Sequence, residues 1–168
     1  QGVGSCFWFS LVLERDPQRE PMIDRVRPAA QRQENARTVE TPQLKVLVVE
    51  DNSVNQLVAC GFLEAIGCAC TVASNGLGAL EALAAPHSYD IVLMDCQMPE
   101  LDGIEATQRI RAREAAGDTR VPIIALTANA MVGDREACLA AGMDDFVSKP
   151  FRLDELAAVV EKWRPRQA

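Results

Sequence analysis

Five residues able to handle a phosphoryl group stand at one kind of place in this sequence. Glu50 and Asp51 follow the apolar run Lys45 to Val49, Asp95 follows Tyr89 to Met94, Thr127 follows Val121 to Leu126, and Lys149 comes just after Phe146 and Val147. Three carboxylates held together would repel and raise one another's pKa values unless a cation sat among them. Oxygen ligands select a hard ion, so Mg²⁺ is the natural occupant, with Mn²⁺ tolerated. A cation, the ammonium of Lys149 and the hydroxyl of Thr127 would then be complementary to a phosphoryl group, two neutralising its charge and the third donating to an oxygen. One carboxylate can act as nucleophile and form an aspartyl phosphate, and Asp95, alone at the end of its strand, is the candidate.

This chemistry requires elements that bring the five residues together. Lys45 to Val49 is a strand, and Asn52 and Ser53 are good caps for a helix that carries Val54, Leu57, Val58, Gly61 and Ala65 until Gly67 closes it. Cys68 to Ala73 predicts a second strand, Gly76 to Ala85 a second helix and Tyr89 to Met94 a third strand. A helix from about Ile104 to Ala116, a strand over Val121 to Leu126, and a helix from about Val132 to Ala141 follow. A short strand at Phe146 and Val147 and a last helix through Leu153, Leu156, Val160 and Trp163 complete five β/α units. Continuously apolar strands alternating with helices imply a parallel sheet covered on both faces. Ligands bind such sheets outside the carboxyl ends of the strands, where all five residues stand. A lone carboxylate there is ordinarily a solvated turn residue or a cap; the agreement among strand ends is what points to a site.

The remaining composition narrows the function. The 168 residues carry 17 Lys plus Arg and 24 Asp plus Glu, a net charge of −7, which argues against a surface built to grip nucleic acid or anionic lipid. Glu14 to Pro42 holds six Arg, six acids and four prolines with no aromatic residue, the composition of a linker. All of the −7 then belongs to the segment from Leu44 onward. The six cysteines show no Cys-x-x-Cys and no zinc spacing, so the expectation is buried thiols without a disulfide, as in a reducing cytoplasm. Cys68 and Cys70, at alternate positions of a strand, should share one face. The apolar run Cys6 to Leu13 is too short to span a bilayer, and a first residue of Gln suggests a piece of something longer.

The sequence resembles the receiver domain of two-component signalling from about Leu44 to Trp163. The resemblance rests on VLVVEDNSVNQ (Val46 to Gln56), DIVLMDCQMPELDGIEA (Asp90 to Ala106), PIIALTANA (Pro122 to Ala130) and GMDDFVSKPF (Gly142 to Phe151). It implies a (βα)5 doubly wound parallel sheet with strand order 2-1-3-4-5. It also implies Asp95 as phosphoacceptor, Glu50 and Asp51 as the acid pair for Mg²⁺, the Gln97 backbone carbonyl as a further ligand, and Thr127 and Lys149 as phosphate-binding groups. Phe146 matches the switch aromatic that moves with Thr127, and Lys149–Pro150 matches a cis bond.

EDNSVNQ and SKPF further resemble receivers attached to hybrid sensor histidine kinases, and Gly2 to Leu13 resembles the last strand of a kinase ATP-binding domain. The domain reading is therefore 1–13 as a remnant of that strand, 14–43 as linker, 44–164 as receiver and 165–168 as tail. The implied partner is a histidine-containing phosphotransfer domain or a kinase dimerisation domain, in cis or in trans, with no contact to nucleic acid or membrane by this piece. The implied setting is cytoplasmic, within a parent kinase open to membrane anchoring. The chain is expected not to be a kinase by itself, its chemistry limited to Mg²⁺-dependent gain and loss of phosphate at Asp95. His87, in a loop after Pro86, lacks the helical surroundings of a phosphodonor. A phosphatase of the haloacid-dehalogenase type would need a second Asp where Gln97 stands, and a receiver fold used only as a scaffold would not need all five site residues.

Overall fold

The computed structural model describes residues 43–84, 89–128 and 132–165, without the side chains of 132–134. Strands β1 (Lys45–Val49), β2 (Ala69–Ala73), β3 (Ile91–Asp95), β4 (Ile123–Thr127) and β5 (Asp145–Ser148) alternate with helices α1 (Ser53–Ala65), α2 (Gly76–Ala82), α3 (Gly103–Ala115), α4 (Val132–Ala140) and α5 (Leu153–Trp163). All strand pairs are parallel and the order is β2-β1-β3-β4-β5. This is the (βα)5 sheet that the sequence implies.

The strands are apolar throughout because each feeds two cores. Leu47, Val49, Val92, Met94, Ile123 and Ala125 point to one face, where α2, α3 and α4 contribute Ala79, Leu80, Ala106, Ile110 and Cys138. Val46, Val48, Ile91, Leu93, Ile124 and Leu126 point to the other, against Ala59 and Leu63 of α1 and Leu156, Val159 and Val160 of α5. Alternation along a strand sends successive side chains to opposite faces, and each large one fully buried contributes roughly 1.5–3 kcal/mol.

Local chemistry sets the element ends. Asn52 caps α1, its side-chain oxygen accepting from the amides of Val54 and Asn55 at 2.9 and 3.3 Å. Gly67, at φ 78°, ends that helix, with the Cys68 amide donating to the Leu63 carbonyl. β4 starts at Ile123 and not at Val121, because Pro122 has no amide to donate and the Val121 amide is taken by Glu114 at 2.8 Å. Just before β3, the Asp90 amide donates to the Lys45 carbonyl at 2.8 Å and the Asp90 carboxylate accepts from the Lys45 amide at 2.7 Å.

One expectation fails. Cys60 of α1 and Cys70 of β2 form a disulfide. The two are ten residues apart in sequence, and the turn at Gly67 folds β2 back along α1 so that their side chains meet. Spacing rules built on Cys-x-x-Cys do not detect a pair that spans a helix, a turn and a strand. Cys68, Cys96 and Cys138 are free thiols, Cys68 and Cys138 buried. Cys68 and Cys70 do share a face, both packing toward the α1/α5 core. Cys6, His87 and the segments 1–13 and 14–42 lie outside the described residues. Among the described residues no helix is long and apolar enough to cross a membrane.

Candidate active site

The chain direction across the sheet reverses between β1 and β3, which lie side by side, and the candidate residues stand at the carboxyl ends of these strands and their neighbours. Glu50 follows β1 and is buried, Asp51 beside it is exposed, and Asp95 is the buried last residue of β3. Carboxylate oxygens of Glu50, Asp51 and Asp95 all lie within 4.8 Å of one another. Lys149, from the turn after β5, reaches in: its Nζ is 2.5 Å from Glu50 Oε2 and 2.8 Å from Asp95 Oδ2. Thr127 is buried at the end of β4, and its carbonyl accepts from the Lys149 amide at 2.7 Å, tying these two strand ends together. The Lys149–Pro150 bond is cis.

Electrostatics follow from this packing. Burial pushes the Asp95 carboxyl above its ordinary range; hydrogen bonds from Lys149 and from the Gln97 amide, and the charge of Lys149, pull it back without cancelling the rise. For Lys149 the balance runs the other way. Burial disfavours its charge, but hydrogen bonds and attraction to Asp95 and Glu50 outweigh that and raise its pKa, so it remains an ammonium. Three acids facing one ammonium leave the cluster two negative charges in excess, an oxygen-lined site suited to a hard divalent cation.

Gln97 is exposed, and its amide donates to Asp95 Oδ1 at 3.2 Å. Phe146 does not join the cluster. It lies in β5 packed toward the α2/α3/α4 core, with the guanidinium of Arg135 4.7 Å from its ring centroid.

Other residues support the site without having been singled out by type and position. Asn55 donates to Glu50 Oε1 at 2.8 Å and Gln56 to the Glu50 carbonyl at 2.7 Å, so the first turn of α1 fixes Glu50. They lie in the stretch EDNSVNQ, where amides four and five residues after the acid pair were the available signal. Gly103 opens α3 hard against the end of β3, and a Cβ there would fall 2.0 Å from the Asp95 carbonyl oxygen. Cys96 Sγ lies 3.3 Å from Cys138 Sγ of α4, and burial, with the Cys138 contact adding to it, holds the Cys96 thiol far above its usual pKa.

A doubly wound α/β sheet with an acid cluster and a paired lysine at its switch point defines the class. The chain belongs to the response regulator receiver domain family, which matches residues 46–161. It is not itself a full kinase. It is 41% identical over 165 residues to hybrid signal transduction histidine kinase K of Dictyostelium discoideum, covering 94% of this chain and 13% of that protein. Sensor histidine kinase GacS of Pseudomonas protegens is 40% identical over 146 residues, 86% of this chain and 16% of its own length. The chain thus spans a small part of the curated relatives it matches.

Among solved structures, the receiver domain of sensor histidine kinase PA1611 from Pseudomonas aeruginosa, with a magnesium ion coordinated in its active-site cleft, is 48% identical. The TM-score is 0.64, with 72% of this chain and 97% of that one covered. A co-crystal structure of the Saccharomyces cerevisiae histidine phosphotransfer protein Ypd1 with the receiver domain of Ssk1 holds a chain 32% identical to this one. There the TM-score is 0.69, covering 73% of this chain and 90% of that one.

Proposed function

We propose that this receiver domain accepts a phosphoryl group from a phosphohistidine onto Asp95 and passes it to a histidine phosphotransfer partner or loses it by hydrolysis. The observation that carries the reading is the position of Asp95. It is a buried carboxylate at the end of the central strand, within 4.8 Å of two further carboxylates and 2.8 Å from a lysine ammonium. An Asp95 oxygen attacks phosphorus as the phosphorus–nitrogen bond to the donor imidazole breaks, and the electron pair of that bond returns to the ring nitrogen. Lys149, already at Asp95, turns its charge to the incoming oxygens, and Thr127 at the end of β4 supplies a hydroxyl donor.

The acid cluster fits Mg²⁺, with Mn²⁺ tolerated, held by Glu50, Asp51, Asp95 and the Gln97 carbonyl; bound there it would offset the charge of the carboxylates and of the phosphoryl oxygens. Asn55 and Gln56 keep Glu50 oriented for that role. Phe146 serves as the switch aromatic, its packing responding to Thr127. A phosphatase of the haloacid-dehalogenase type is disfavoured because Gln97 offers only an amide where a second carboxylate would be needed.

The partner surface is α1. Val54, Leu57 and Val58 form an apolar stripe on it, 66%, 75% and 42% exposed, beginning three residues after Asp51. A solvated helix normally turns polar residues outward, and an apolar stripe beside an acceptor site suits the helical surface of a histidine phosphotransfer domain. The co-crystal of Ypd1 with a similar receiver supports that class of partner. A kinase dimerisation domain, in cis or in trans, would meet the same surface. The parent protein is then a hybrid histidine kinase with this domain on the cytoplasmic side. Incubation with a phosphorylated histidine phosphotransfer domain should label the chain and leave Asp95→Asn unlabelled; label persisting on the variant would refute the assignment.

A further inference from the structure

Helix α1 packs on the sheet through Ala59 and Leu63, with Phe62 and Ile66 part-buried beside them. Of its 13 residues only Ala59 and Leu63 are buried. Gly61 stands at its middle, where an added Cβ would meet nothing, and glycine is among the poorest helix formers. The first turn carries no acid and the last turn no base, so no side-chain charge complements the helix dipole. Against this stands one covalent tie, the disulfide from Cys60 to Cys70 of β2. Cys60 lies one helical turn after Gln56, the residue that holds the Glu50 carbonyl, and on the same helix as the exposed stripe Val54, Leu57 and Val58. β2 is an edge strand with Thr71 and Val72 exposed, and both cysteines are only part-buried, so the bond is open to attack from solvent.

We propose that Cys60–Cys70 is a reversible redox-modification site, cleaved by a dithiol reductant, whose state sets how firmly α1 presents its stripe and therefore how fast the domain exchanges phosphate. The second half rests on the docking of a phosphotransfer partner on α1 argued above. In the reaction one thiolate of the reductant attacks a sulfur of the pair, forming a mixed disulfide and expelling the other cysteine as a thiolate that takes up a proton. The second reductant thiol then displaces the first cysteine. Two electrons pass to Cys60 and Cys70, the protein S–S bond breaks and one forms in the reductant.

The 168-residue chain, purified without reductant, is treated with iodoacetamide before or after dithiothreitol and mapped by mass spectrometry. Cys60 and Cys70 should resist alkylation until reduced and should appear as one linked peptide pair; if both alkylate beforehand the proposal falls. On reduction, amide exchange across α1 should quicken. Phosphoryl transfer from phosphorylated Ypd1, the probe, should slow by roughly tenfold, the cost of ordering a loosened docking element. Reoxidation should restore the rate, and the double variant Cys60→Ser/Cys70→Ser should behave as the reduced chain in either condition. Mg²⁺-dependent labelling by phosphoramidate, which needs no docking, should be equal in both states and so report an intact site. Equal transfer rates in the two redox states would overturn the control role while leaving docking on α1 standing. No transfer in either state, with phosphoramidate labelling intact, would defeat the docking reading and the control role with it.

Discussion

Replacing Lys149 by Met removes one positive charge and leaves the rest of the acid cluster in place. The side chains facing it are almost sealed, Glu50 2% and Asp95 9% exposed, and Lys149 is itself 17% exposed. Removing one member of a buried ion pair usually costs about 3–5 kcal/mol, because the remaining charge is left desolvated. An upper limit comes from protonation: neutralising a carboxylate of ordinary pKa at pH 7 costs about 4 kcal/mol, roughly three pKa units at 1.4 kcal/mol each. Asp95 is already pushed above that ordinary range by burial, so it takes up a proton for less. The expected loss without divalent ion is therefore about 3 kcal/mol. Saturating Mg²⁺ should rescue the variant more than the wild type, because the three carboxylates then lack their ammonium and attract the ion more strongly. Wild type at a Mg²⁺ concentration a hundredfold above its Kd would gain about 2.7 kcal/mol, and the variant should exceed the wild type's gain at the same concentration. Urea unfolding with EDTA and with Mg²⁺ measures all four values. Equal midpoints for the two proteins in EDTA, or equal gains from Mg²⁺, would refute the charge balance described for this site.

Further outcomes follow from the same structure. Gly103→Ala places a methyl group 2.0 Å from the Asp95 carbonyl oxygen, so it should destabilise by about 2–3 kcal/mol in urea unfolding and depress phosphoramidate labelling by displacing the acceptor. Arg111 bonds Glu114 and Asp144 at 2.6 Å at the amino ends of β4 and β5, far from the site, so Arg111→Met should cost about 3 kcal/mol in the same assay and leave labelling of the folded protein intact. Asp145 has a lowered pKa: burial raises it, but hydrogen bonds from Lys162, Trp163 and the Phe146 amide outweigh that. A lowered carboxylate pKa stabilises the fold above its unfolded value, near 3.8, and the contribution is lost as pH falls through the folded value. The stability advantage of wild type over Asp145→Asn should thus be present at pH 6 and shrink on acidification below about pH 4, as followed by thermal melts.

Much of the fold was legible because a sheet buried on both faces writes its strands as unbroken apolar runs, as in VLVV and IVLM. The carboxyl-end rule drew Glu50, Asp51, Asp95 and Lys149 to one edge, and the structure holds them in one cluster. Strand order came from resemblance, since periodicity does not say which strands are neighbours. What escaped depends on distance in space. The Cys60–Cys70 bond crosses a helix and a turn, and the fit of Gly103 against Asp95 is visible only when α3 is placed. The clasp of Arg111, Asp144 and Arg120 joins residues up to 33 positions apart, with no local pattern to mark it. Phe146 likewise came from resemblance, its place three residues before Lys149 matching the switch aromatic; its ring packs with Arg135 on the α4 side of the sheet.

Asp95 as the acceptor, working with a divalent ion at the acid cluster, can be checked in one experiment. The chain is treated with phosphoramidate, with and without Mg²⁺, the product is trapped with borohydride, and the peptide that spans Ile91 to Gly103 is sequenced. One added phosphoryl group is expected, dependent on Mg²⁺, with the trapped residue at position 95 and nowhere else. Phosphorylation at another residue, or at Asp95 to the same extent in EDTA, would contradict it.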